Sequence, residues 1–163
     1  YGNQKELGGS VWKALKGYRL LKKLGYKEGY VTINTFDWRL NAWLVESVMQ
    51  KKEINYEALR DLYIKLVKEW CFFNINYYTS IGFSDITHTL LLHANDPNAL
   101  CLDDILAMIK HEGWNLGSAK KAFDNAKWRK SFVKKTKGKD PIPLPLSIQA
   151  VDEEIKKSKI FSQ

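Results

Sequence analysis

The sequence predicts an all-α fold: a single-domain helical bundle of six or seven helices with a Pro-rich extended arm near the C-terminus. Three observations lead there. Apolar residues recur at three- and four-residue spacing through most of the chain. The periodic segments are separated by short Gly-, Asn-, Asp- and Pro-containing loops. A length of 163 residues suits one hydrophobic core. The expected organisation is a flexible lead-in (1–9), a helical domain (10–134), a charged and Pro-rich linker arm (135–146) and a C-terminal helix packing on the domain (147–163).

The first helix is expected after Ser10, a candidate N-cap, with Val11, Ala14, Leu15, Tyr18, Leu21 and Leu24 on its apolar face and Gly25 at its C-terminal stop. Lys13, Lys16, Arg19, Lys22 and Lys23 fill much of the remaining circumference. Residues 26–34 read as a loop or one short strand. Thr35 is expected to cap a second helix, Phe36 to about Gln50, with Asp37 favouring its N-terminal dipole. Phe36, Trp38, Leu40, Trp43, Leu44, Val45, Val48 and Met49 make it apolar on most sides, which predicts an enclosed, central helix.

Asn55 is expected to cap a third helix. Leu59, Leu62, Tyr63, Leu66, Val67 and Trp70 form the cleanest apolar stripe in the chain, and the period carries on to Tyr77. Asp61 and Lys65 are spaced for an ion pair along it. Ser84 is expected to cap a short helix from Asp85 to about Ala94. Asn95-Asp96-Pro97-Asn98 has the composition of a turn, followed by a helix from Leu102 to His111 that ends at Gly113. Asp103 and Asp104 would serve that helix's dipole.

Ser118 is the expected cap of a basic helix with an apolar seam of Ala119, Ala122, Phe123, Ala126 and Phe132. Pro141, Pro143 and Pro145 alternate with Ile142, Leu144 and Leu146 and fix an extended path. These apolar residues pack on the body or dock on a partner. Ser147 is expected to cap the last helix, which contains Ile148, Val151 and Ile155.

Charge is distributed unevenly along this order. Residues 118–139 carry nine basic side chains against the single acid Asp124, a net charge of +8, equal to that of the whole protein. Residues 1–30 contribute +5 and residues 31–117 contribute −4. Phe123, Trp128 and Phe132 interleave with the cations of the basic helix. Clustered cations point to a polyanion. The expectation is a non-catalytic nucleic-acid-binding protein or subunit, DNA or RNA undecided, that captures a phosphate backbone.

The expected contacts are Lys120, Lys121, Lys127, Trp128, Arg129, Lys130, Lys134 and Lys135, aided by Lys13, Lys16 and Arg19 of the first helix. Leu102 to Lys135 has the outline of a helix-turn-helix unit, a signal that any two-helix hairpin shares. One alternative is an assembly subunit that binds an acidic protein, with the Pro141–Leu146 arm as a docking segment. A second is an enzyme on an unfamiliar helical scaffold.

Other chemistry finds little footing. No phosphate-loop or dinucleotide glycine pattern is present, and no HExxH or paired Cys–His spacing. His88 and His93 stand five apart, off one helix face, so neither a metal nor any other cofactor is expected. Ser84, Asp85 and His88 are residue types of a hydrolytic site without a diagnostic spacing. Cys71 and Cys101 sit among apolar residues and are expected to be buried free thiols in a reducing, intracellular compartment. No apolar run reaches the ~18 residues of a membrane span, and no membrane partner is expected.

Overall fold

The computed structural model describes residues 11–26, 29–124 and 147–161, and the protein is mostly helical over them. These residues hold six helices: α1 (Val11–Lys23), α2 (Asp37–Met49), α3 (Tyr56–Ser80), α4 (Asp96–His111), α5 (Ala119–Asp124) and α6 (Ile148–Lys157). Two short strands, β1 (Ile33–Asn34) and β2 (Leu90–Leu91), pair in parallel with Ile33 opposite Leu90 and Asn34 opposite Leu91. The chain divides into two compact units, one up to Tyr30 and the other from Val31.

In the first unit α1 ends as its sequence predicts. Gly25 takes φ 80°, and N–H groups of Gly25 and Tyr26 return to the carbonyls of Lys22 (3.1 Å) and Leu21 (2.9 Å). This double closure satisfies carbonyls that a helix end leaves open, and glycine adopts the left-handed conformation without a Cβ penalty. The expected apolar stripe is not enclosed, however: Leu15, Tyr18 and Leu24 are exposed.

The second unit is organised by α3. Its 25 residues bury Leu59, Leu62, Tyr63, Leu66, Val67, Trp70 and Cys71, the stripe that the periodicity marks. Asn55 caps it, accepting from the Ala58 N–H at 3.0 Å. Lys65 reaches Glu154 at 3.5 Å and Glu69 at 4.0 Å rather than the expected Asp61. α4 packs along α3 through Cys101, Ile105, Met108 and Ile109, and also meets α2.

After α6, Ile160 and Phe161 return to the start of α3. Asn55 N–H donates to the Ile160 carbonyl at 2.8 Å, and the Phe161 ring stacks on Trp43 at 6.3 Å. α6 itself is capped by Ser147 as expected, with Val151 and Ile155 buried; Ile148 stays partly in solvent.

Four further expectations are corrected in this unit. α2 is not enclosed: it buries Asp37, Leu40, Leu44 and Ser47 on one side, while Trp38, Val45, Val48 and Met49 are exposed. Thr35 does not cap it; Phe36 occupies that position at φ 50°, and the Thr35 hydroxyl donates to the Leu91 carbonyl at 3.1 Å.

The helix expected from Asp85 to Ala94 is absent. The chain there runs extended and supplies β2, and the Thr32 hydroxyl accepts from Thr89 N–H at 2.8 Å to lengthen the strand contact. Thr87 and Thr89 suit extended backbone better than helix.

Finally, Asn95–Asn98 is no free turn but the start of α4. Asn95 caps it, accepting from Asn98 N–H at 3.2 Å, with Pro97 in the first turn, where its missing N–H costs nothing. Asp103 and Asp104 therefore lie inside α4, where Asp104 pairs with Arg60 at 3.4 Å.

Candidate functional site

The expected basic contacts fall in three places. Lys13, Lys16 and Arg19 lie on α1, all exposed, joined by exposed Lys22 and Lys23. No acidic residue occurs in α1. Lys120 and Lys121 are exposed in the first turns of α5, which Ser118 opens by accepting from the Lys121 N–H at 3.2 Å. Ala122, of the expected apolar seam, is buried. Lys127, Trp128, Arg129, Lys130, Lys134 and Lys135 lie outside the described residues, as do the Pro141–Leu146 arm and residues 125–135 of the helix-turn-helix outline.

Other cations of the second unit enter ion pairs. Arg39 makes two hydrogen bonds to Asp152, each 2.7 Å, and Trp43 Nε1 donates to the same carboxylate at 2.9 Å. These donors, Arg39 first, hold the Asp152 carboxyl below its usual range. Lys68 binds Glu112, Arg60 binds Asp104, and Lys156 binds Glu153. Each such pair neutralises a cation locally.

One constellation carries no signal in the spacing of its residues. Asp37 is buried at the start of α2 and gathers five N–H donors. Its Oδ1 accepts from the Trp38 N–H at 2.9 Å and faces His93 Nδ1 at 2.6 Å. Its Oδ2 accepts from the His93 N–H at 2.7 Å, from Asn95 Nδ2 at 3.2 Å and from Asn98 Nδ2. Asn98 Oδ1 in turn accepts from the Tyr63 hydroxyl at 2.6 Å. One carboxylate thus ties the starts of α2 and α4 to Tyr63 in the first half of α3. The Asn-Asp-Pro-Asn run was the available clue, since those residues serve helix starts as well as turns.

The Asp37 bond fixes His93 Nδ1 and leaves Nε2 on a side chain that is 46 % exposed. Ser84, Asp85 and His88 do not assemble: Ser84 meets its neighbour Asp85 at 3.4 Å, whereas His88 Nδ1 lies 3.2 Å from Thr32 Oγ1. Cys71 and Cys101 are buried free thiols, as expected. Burial pushes the Cys71 thiol up to about 12 and raises that of Cys101, which keeps both protonated and weakly nucleophilic. Among the described residues no group of His, Cys, Asp and Glu side chains is placed to hold a metal ion, and no helix is long and apolar enough to cross a membrane.

Compared with family models, with curated proteins and with solved structures, the chain matches none.

Proposed function

We propose that the protein is a non-catalytic nucleic-acid-binding protein or subunit that captures a phosphate backbone with two basic segments, α1 and residues 118–139. The observation that carries this is the concentration of cations in these two segments. Between them in the chain, Arg39, Arg60, Lys65 and Lys68 form ion pairs with acidic residues. α1 holds five exposed cations with no acid on the helix, and residues 118–139 hold nine against one. Cations so concentrated along the chain favour an external polyanion, and phosphate contacts of this kind give affinity without choosing a sequence.

The test is a salt titration of binding to unrelated duplex and single-stranded oligonucleotides. Affinity that falls steeply and linearly with log salt supports the proposal. Absence of binding at low salt refutes it.

A second reading has a specific observation of its own: Leu15, Leu20 and Leu24 of α1 are exposed. An acidic protein with an apolar groove would cover both these and the lysines. Stoichiometric binding to such a protein that survives high salt would favour it.

A further inference from the structure

We infer that α1 binds nucleic acid as a single strand, with the Trp12 indole stacking on a base. This rests on the polyanion reading above and adds the form of the ligand.

Trp12, Lys16, Arg19 and Lys23 stand at i, i+4, i+7 and i+11 of one continuous helix. At ~3.6 residues per turn these positions fall on one face, and at ~1.5 Å per residue they span about 16 Å. All four are exposed. Gly17 and Leu21, which are partly covered, lie on the opposite side of the helix. The indole is therefore on the outward face, 77 % exposed, in line with three cations. It was not singled out by periodicity because it falls outside the apolar stripe.

An exposed indole among cations is poorly explained by phosphate capture alone. A phosphate backbone calls for lysine and arginine and gives a large apolar ring nothing to contact. In a duplex the base faces are stacked inside, so the ring again has no partner. A single strand offers both: phosphates for Lys16, Arg19 and Lys23, and an open π-face for Trp12. Aromatic rings beside a cationic track are the way sequence-tolerant single-strand binding is built. Tyr18 and Tyr26, 49 % and 58 % exposed, are further rings on the same unit.

The experiment compares wild type, Trp12→Ala and Trp12→Phe. The probes are a labelled oligothymidine of about 15 nucleotides, a duplex of equal length, heparin as a base-free polyanion, and vesicles of mixed phosphatidylserine and phosphatidylcholine. Circular dichroism checks that each variant keeps its helix content. Trp12→Ala should weaken oligothymidine binding by about 5- to 150-fold, the range of one lost base stack. It should leave heparin and duplex binding nearly unchanged, and Trp12→Phe should recover most of the loss.

Unaltered oligothymidine affinity in a Trp12→Ala protein that still binds polyanions would overturn the stacking and leave the polyanion reading standing. Equal weakening toward all four probes, or a loss confined to the vesicles, would overturn it too. A wild-type protein that binds no polyanion would remove the underlying reading, and the stacking with it.

Discussion

His93 Nδ1 lies 2.6 Å from Asp37 Oδ1, although the two residues are 56 apart in the chain. The carboxylate is buried and its other acceptor sites are taken by N–H groups of Trp38, His93, Asn95 and Asn98. Removing it would strand several buried donors at once. Asp37→Ala is expected to destabilise the fold by about 3 kcal/mol or more, since each buried group left unsatisfied costs ~1–3 kcal/mol. Asp37→Asn should recover little, because its amide turns donors toward donors. Urea unfolding midpoints at constant slope would measure both.

Acid should weaken the fold in two steps. Burial holds the His88 imidazole below its ordinary 6.5. The unfolded chain then binds a proton that the folded chain refuses, so stability is full above about pH 6.5 and falls as pH drops toward the lower folded value. Asp152 is held below its ordinary 3.8, first by the Arg39 hydrogen bonds, so its contribution persists above about pH 4 and is lost as pH falls through the folded value. Urea unfolding over a pH series should show both limbs. His88→Gln should flatten the upper one and Asp152→Asn the lower.

The two basic segments make separable predictions. Replacing Lys13, Lys16 and Arg19 together with Ala should reduce the slope of log affinity against log salt by roughly 2 for a single-stranded oligonucleotide, at about 0.7 per lost phosphate contact. The Lys127, Arg129 and Lys130 triple variant should do the same. An unchanged slope in either variant removes that segment from the interface.

Both thiols should be silent in the folded protein. Cys71 and Cys101 are 3 % and 1 % exposed. A chromogenic disulfide reagent should label neither in native buffer within minutes and both at once in denaturant. Rapid native labelling would contradict their burial.

Gly113 closes α4 at φ 74°, with its N–H on the Lys110 carbonyl and the Trp114 N–H on that of Ile109. A Cβ there would meet nothing within 4 Å, so the cost of Gly113→Ala is conformational rather than steric crowding. It is expected to be about 1–2 kcal/mol, read from thermal or urea unfolding.

What the sequence made legible follows from which forces act locally. α3 was readable because its stripe, its Asn55 cap and its length agree, and local and tertiary preferences point the same way. α2 is less legible because its apolar side chains do not all mark burial. Trp38, Val48 and Met49 show that a large apolar residue does not have to be inside. In residues 85–94, Ile86 and Leu90 imitate helical spacing. What decides that segment is distant: Thr32 and Thr35 bond the Thr89 and Leu91 backbone, and Asp37 takes the His93 N–H. The basic segments were visible as composition. Trp12 became informative only when its exposure and its alignment with Lys16, Arg19 and Lys23 were known.

The ligands of Asp37 also set when its bonds can form. His93, Asn95 and Asn98 arrive from 56 to 61 residues away, so a long chain segment must close before the carboxylate gains its partners. α3, assembled from neighbours in sequence, does not wait for that closure. The Asp37 cluster is thereby expected to close late, and its removal should accelerate unfolding while leaving the refolding rate nearly untouched, a split that the two arms of a chevron plot separate.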